Sequence, residues 1–177
     1  MEAILATDIN FGISKDGKIP WKSKKDMSFF FNKTKNNVVI MGKNTYFSLP
    51  EEFRPLKNRL NIVLTKTPYQ YTNNIEAEHA NIFFTNDEKI YMFIESNREK
   101  TLESFPFLSS NFKIFIIGGK QIYEKYIPLC YTVWVTTIKQ NYSCDLFFNY
   151  ECKQQFKDEL VEEDDELKIV EWKKYSL

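Results

Sequence analysis

Apolar residues along the chain gather into short runs at fairly regular intervals, with polar stretches between them. Runs rich in Ile, Val, Phe and Thr cover residues 3–7, 38–41, 60–65, 82–85, 113–117 and 132–138, and predict strands. The early runs are apolar on both faces, as strands covered on both sides are. Two more, at 156–161 and 167–172, flank the acidic run E-E-D-D-E and predict a terminal hairpin. Helix-like spacing occupies 25–34, 43–49, 87–95 and 120–126. Asn86 is placed to cap the third of these, with Ile90, Phe93 and Ile94 as its buried stripe. Strand alternating with helix predicts an α/β fold. The expectation is a single domain over residues 1–177, with a mostly parallel, roughly eight-stranded sheet, about four flanking helices and an antiparallel C-terminal hairpin. The polar, asparagine-rich stretch 68–80 reads as a surface loop.

Glycine sharpens this pattern. The chain has only five glycines, and they cluster at the ends of apolar runs. Gly12 and Gly17 bracket F-G-I-S-K-D-G-K-I-P-W, Gly42 closes V-V-I-M, and Gly118-Gly119 close I-F-I-I. Each alone is an ordinary turn signal. Three such loops together point to places where backbone approaches a ligand closely.

Composition narrows the class. Hydrophobic residues make up 43% of the chain, too many for a disordered one. A formal net charge of zero gives no basic footprint for nucleic acid or a membrane surface. The three cysteines, Cys130, Cys144 and Cys152, lack metal-ligand spacing and suit a reducing compartment. The single histidine, His79, builds neither a histidine metal site nor a Ser-His-Asp triad. No signal peptide or stretch of about 20 apolar residues stands out, so a soluble, cytoplasmic protein is expected.

Asp26 is the sharpest chemical candidate. Phe29 and Phe30 share its helix face at i+3 and i+4, so its carboxylate is expected to be desolvated and its protonated form favoured. That suits proton transfer near neutral pH. Ser23-Lys24-Lys25-Asp26 also reads as a capping box, in which Asp26 merely serves the start of the helix. Gly42-Lys43-Asn44-Thr45 lacks the first glycine of a Walker A loop, and Gly118-Gly119-Lys120-Gln121 lacks the G-x-G-x-x-G spacing. Both still place glycine-led N–H groups at a helix start, which can hold phosphate. Thr65-Lys66, following a third strand, adds to a set that suits a cofactor with several phosphates. Arg59 is one of only three arginines among 21 lysines, which hints at a use for its planar fork.

Taken in order, G-I-S-K-D-G-K-I-P-W-K-S-K-K-D-M-S-F-F, V-I-M-G-K-N-T-Y-F-S-L-P, R-P-L-K-N-R-L-N-I-V-L-T and I-I-G-G-K-Q-I-Y resemble dihydrofolate reductase. The segment V-T-T-I-K-Q-N-Y-S-C-D-L-F-F and the closing hairpin extend the likeness over essentially the whole chain, least convincingly between residues 68 and 111. The resemblance implies reduction of 7,8-dihydrofolate to 5,6,7,8-tetrahydrofolate by NADPH, in one-carbon metabolism. It also implies a monomer without nucleic-acid or membrane partners. Asp26 would be the pterin-pocket carboxylate that promotes protonation of the imine nitrogen, with Thr136 and Trp21 beside it. Ile4, Leu5, Phe30, Leu49 and Leu56 would wall the substrate, and Arg59 would clamp the α-carboxylate of its glutamate tail. Ala6, Ile13, Gly17 and Trp21 would border the nicotinamide under a mobile loop, with Tyr123 packed beside it. Gly42, Lys43, Asn44 and Thr45 would take the pyrophosphate, together with Ile117, Gly118, Gly119, Lys120, Gln121 and Ile122. Thr65 and Lys66 would meet the 2′-phosphate, favouring NADPH over NADH. The paired glycines would be joined by a cis peptide.

Three positions depart from common family forms: Ser14 replaces a frequent glycine in the mobile loop, Tyr46 a tryptophan, and Lys66 an arginine. Two alternatives stay open on the sequence. One is a related pterin or ribosylamino-pyrimidine reductase without Asp26 and Arg59 in these roles; the other is a scaffold that binds a ligand without catalysis.

Overall fold

Ten strands and six α-helices alternate along the computed structural model, which describes residues 1–176. Eight strands form one sheet in the order β5-β4-β3-β6-β1-β7-β10-β9. Its members are β1 (Glu2–Thr7), β3 (Val38–Gly42), β4 (Leu60–Leu64), β5 (Ile82–Thr85), β6 (Ile114–Ile116), β7 (Thr132–Ile138), β9 (Phe156–Glu163) and β10 (Leu167–Lys174). β1 runs parallel to β7, and β3, β4 and β5 run parallel to one another. β10 is antiparallel to β7 and to β9, which makes the expected hairpin the antiparallel end of the sheet. By contact density the residues fall into two compact units: Met1–Asn32 with Ile116–Leu177, and Lys33–Phe115.

In the first unit β1 is buried at every position except Ala6, which is half-buried. Its neighbour in register across the sheet is Thr136 of β7. Trp21, Ile138, Leu167 and Ile169 form a cluster against which Ala6, Phe29 and Tyr142 pack. At the free edge, β9 exposes every residue after Phe156 and carries Lys157, Asp158, Glu159, Glu162 and Glu163. Charge on an edge strand discourages pairing with another chain. Trp172 is buried among Phe148, Tyr150 and Phe156, with ring centroids 5.4–6.4 Å away.

In the second unit β4 is buried throughout, although Asn61 interrupts its apolar run. Tyr46, the replacement for tryptophan, is buried with its ring edge-on to Phe84 at 5.6 Å. The four expected helices are present as α1 (Lys24–Thr34), α2 (Lys43–Ser48), α4 (Ile90–Ser96) and α6 (Lys120–Tyr126). Two more, α3 (Ile75–Glu78) and α5 (Arg98–Ser104), lie where a loop or no helix was expected.

Helix α4 corrects two expectations. It starts after Lys89, so Asn86 does not cap it. The turn before it is built instead by Asp87, whose carboxylate accepts the Lys89 N–H at 2.9 Å. Of the expected stripe, Ile94 is buried and Ile90 half-buried, whereas Phe93 is 61% exposed. The helix has only seven residues, and its narrow contact face leaves Phe93 outside it.

The loop between β1 and α1 is more structured than its sequence suggests. Gly12–Ser14 (β2) pairs with Leu146–Phe147 (β8) in a small second sheet. Asp16 and Gly17 both have positive φ, and Lys15 and Lys18 exchange two backbone hydrogen bonds across them. That is the geometry of a two-residue hairpin turn, for which Asp-Gly is a favoured pair. Asp8, only 1% exposed, accepts the N–H groups of Asn10 (2.9 Å), Gly12 (2.8 Å) and Tyr142 (3.1 Å).

Candidate active site

In the first unit, α1 resolves the ambiguity of Asp26. The backbone N–H of Asp26 donates to Ser23 Oγ at 3.1 Å, so Ser23 caps the helix. The side chain of Asp26 is thereby spared that task. Its Oδ2 accepts the indole N–H of Trp21 at 3.3 Å. Burial pushes the carboxyl up from 3.8 to about 6, against the opposing hydrogen bonds of Trp21 and Thr136 and with a smaller upward push from Glu166. Desolvation therefore wins. A carboxyl in that range can hold or release a proton close to neutral pH.

Trp21 and Thr136, which bind this acid, and the other expected site residues of the unit come from separate elements. Thr136 is buried on β7, opposite Ala6 of β1 and Ile169 of β10. Trp21 is buried and meets Tyr142 edge-on at 5.7 Å. Phe29 meets Trp134 at 6.1 Å, while Phe30 is half-buried on the same helix. Ile4 and Leu5 are buried in β1, and Ile13 is buried in β2. Gly17 stands at the exposed tip of its turn.

At the end of β6, the Gly118–Gly119 peptide is cis, and Gly118 has φ +116°. A Cβ on Gly118 would lie 3.1 Å from the Tyr123 ring, so both backbone angle and space select glycine there. Tyr123 is buried and donates its hydroxyl to the Ile4 carbonyl at 2.9 Å. Burial, with a lesser contribution from Asp26, raises its ionisation above the ordinary range, so it stays a neutral donor. Ile117 is buried, Ile122 and Lys120 are half-buried, and Gln121 is exposed.

The second unit holds the remaining candidates. Gly42 ends β3 and leads into Lys43, Asn44 and Thr45 of α2. No side chain caps α2, nor α6 after Gly119. In both cases the first-turn N–H groups lack the partner that Ser23 gives α1. Thr65 at the end of β4 accepts the Thr67 N–H on its hydroxyl, and Lys66 is exposed.

Arg59 is 6% exposed. Its Nε donates to the Lys57 carbonyl at 2.9 Å and its Nη1 to Thr34 Oγ1 at 3.1 Å. Burial lowers its ionisation to about 10, which leaves it a cation at neutral pH. Leu56 is buried; Leu49 is half-buried, and its carbonyl accepts Arg54 Nη1 at 2.9 Å.

What fastens the Arg59 loop is a pair of asparagines that the sequence motifs do not single out. Asn61, fully buried, accepts the Leu56 N–H and donates to the carbonyls of Leu56 (2.9 Å) and Arg59 (3.0 Å). Asn81 donates to the same two carbonyls. A polar residue inside the apolar run R-L-N-I-V-L was the available signal. Asp8, Tyr142 and Glu166 carried no such signal, because the contacts that join Asp8 to Tyr142 and Glu166 to Ser23 each span more than a hundred positions.

Among the described residues no helix is long and apolar enough to cross a membrane. Compared with known proteins, residues 1–173 match the family described as Dihydrofolate reductase. The chain is 35% identical over 173 residues to the dihydrofolate reductase of Heliothis virescens, covering 93% of this chain and 85% of that protein. It is 33% identical over 154 residues to the dihydrofolate reductase of Drosophila melanogaster, covering 82% of this chain and 76% of that protein. It is also 35% identical over 155 residues to a bifunctional dihydrofolate reductase-thymidylate synthase of Daucus carota, covering 82% of this chain and 27% of the relative. With the motifs, the sheet order and these matches in agreement, the chain belongs to the dihydrofolate reductase family of oxidoreductases.

Proposed function

We propose that the protein reduces 7,8-dihydrofolate to 5,6,7,8-tetrahydrofolate with NADPH. The observation that carries this reading is the carboxyl of Asp26, held at about 6 by burial while Trp21 and Thr136 bind it. A single acid tuned in this way supplies the proton chemistry that reduction of an imine requires.

The residues present fit a nicotinamide dinucleotide phosphate. Each unit has a helix that starts at a glycine without a side-chain cap, α2 in one and α6 in the other, and first-turn N–H groups of this kind suit phosphate oxygens. Lys43 and Lys120 add positive charge, and Asn44, Thr45, Gln121 and Ile122 flank these turns. Thr65 and Lys66 supply a hydroxyl and a cation for a 2′-phosphate. When bound, NADPH supplies the hydride. Ala6, Ile13, Gly17 and Tyr123 would border the nicotinamide, and Tyr123 packs over the Gly118 backbone where a side chain would otherwise lie. Ile4, Leu5, Phe30, Leu49 and Leu56 hold the pterin and aminobenzoyl parts. Asp26 binds the amino-pyrimidine edge and promotes protonation of the imine nitrogen, while Arg59 pairs with the tail carboxylate.

The test follows NADPH absorbance with and without dihydrofolate. Oxidation is expected only when both are present. Asp26→Asn should keep cofactor affinity and lose about 10²–10⁴-fold in rate at neutral pH. Binding of NADPH without its oxidation, or full turnover by the Asn variant at pH 7, would overturn the assignment.

A further inference from the structure

We infer that the turn joining β9 to β10 is a brace for the proton-handling end of α1, with Glu166 acting through Ser23 as a positioning residue for Asp26. This rests on the functional reading above, in which Asp26 is the working acid.

A serine N-cap uses its hydroxyl oxygen to accept a backbone N–H, which leaves its own O–H to find an acceptor. In a capping box the third helical residue reaches back to the cap. Here that residue is Asp26, and its carboxylate is turned to Trp21 instead. The acceptor comes from far along the chain: Ser23 Oγ donates to Glu166 Oε1 at 2.6 Å. A hydrogen bond to a carboxylate fixes the hydroxyl rotor. The fixed hydroxyl presents its oxygen to the Asp26 N–H at 3.1 Å. The Cα of Asp26, and hence the start of its side chain, is therefore located by a residue on another element.

Three further observations make the turn a rigid support. Lys25, next to Asp26, pairs with Asp164 of the same turn. The other oxygen of Asp164 accepts the N–H groups of Glu166 (2.8 Å) and Leu167 (3.0 Å), which closes the turn on itself. The Glu166 carbonyl accepts the Lys139 N–H at 2.9 Å, tying the turn to the end of β7. Directly after it, Leu167 and Ile169 are buried in the cluster that seats Trp21. One hairpin thus locates both the backbone of the acid and the indole that binds its carboxylate. The acidic run that reads as a solvated turn carries this support.

The charges around Asp26 separate geometry from field. On α1, Lys25 is committed to Asp164. Glu166 on the turn pushes the Asp26 carboxyl up, and Asp26 in turn acts on Tyr123 of α6. Glu166→Gln keeps an acceptor for the Ser23 hydroxyl and removes the charge, whereas Glu166→Ala removes both.

The experiment compares wild type, Glu166→Ala, Glu166→Gln and Ser23→Ala by steady-state kinetics across pH and by hydrogen exchange at the Asp26 amide. Expected is a drop of about 3- to 30-fold in kcat for Glu166→Ala at pH 7, from misplacement of the acid. KM for NADPH should stay within about twofold, and Asp26 amide exchange should accelerate. Glu166→Gln should restore kcat and amide protection near its pH optimum, with the falling limb of the pH profile moved to lower pH. The Ser23→Ala/Glu166→Ala pair should be no worse than either single change, since both break one linkage. If Glu166→Ala proves too unstable to assay, Ser23→Ala and Glu166→Gln carry the comparison. Wild-type kcat and exchange in the Ala variants, or a Gln variant as slow as Ala, overturns the brace. A wild-type protein that fails to oxidise NADPH with dihydrofolate sinks the functional reading instead, and amide exchange still reports on the brace.

Discussion

Arg59, proposed above to pair with the substrate's tail carboxylate, is a tightly held side chain. Lys57 and Thr34 fix its orientation, and burial removes competing water from the guanidinium. A lysine ammonium fills neither the planar geometry nor these contacts. Arg59→Lys should therefore raise KM for dihydrofolate by about 10- to 100-fold, the size of one charge-assisted hydrogen bond of ~1.5–3 kcal/mol. KM for NADPH should be unchanged, and a dihydropterin without the glutamate tail should be turned over equally by both forms. Equal rises for substrate and cofactor would remove the clamp. Asp26 was legible in sequence as a residue with two competing roles. Only atomic positions could divide them, because the cap takes its backbone N–H and leaves its carboxylate to the Trp21 indole.

At the scale of elements, strands buried on both faces were legible, since continuous apolar runs such as V-V-I-M have few other uses. The short pair β2 and β8 was not. Each has too few residues to set a period, and their pairing depends on contacts over more than a hundred positions. Phe93 misled for a related reason: spacing marks a helix face without saying how wide a face its neighbours cover. Gly12, read from sequence as part of a ligand loop, has a steric cause in the structure. A Cβ there would fall 2.3 Å from Cys144 Cβ and 2.6 Å from its Sγ. The small sheet closes around the missing side chain. Gly12→Ala should destabilise the protein by about 1–3 kcal/mol through overpacking. Adding Cys144→Gly should recover much of that loss in urea denaturation, because it removes both clashing atoms. Additive losses in the double variant would show that the glycine answers to something other than this contact.

Across the whole molecule, the acid proposed to serve the reaction works against the fold. The carboxyl of Asp26 has an ordinary value of 3.8 and sits at about 6 when folded. Between those values the folded chain binds the extra proton, so the group's contribution to stability falls as pH rises through that window. Above it, keeping the ionised form buried costs about 1–3 kcal/mol. Asp8 has the opposite sign. Burial pushes it up, but the Tyr142, Gly12 and Asn10 N–H groups outweigh that and hold it below its ordinary value. Its stabilisation is present at neutral pH and is lost only as pH falls through the acid range. Both groups are aspartates, and what separates them is the supply of backbone N–H donors. Asp8 accepts two from its own turn and a third from Tyr142, whereas the side chain of Asp26 has an indole and a hydroxyl. Asp26→Asn should therefore raise the melting temperature of the ligand-free protein at pH 7.5 by about 2–8 °C, at ~2–4 °C per kcal/mol for a chain of this size. The difference should shrink as pH falls through the window and close only below the ordinary value of 3.8, where the carboxyl is protonated in the folded and the unfolded chain alike. A variant no more stable than wild type at pH 7.5 would mean that the ionised carboxylate is better solvated than its surroundings imply. The proton chemistry would then need another source.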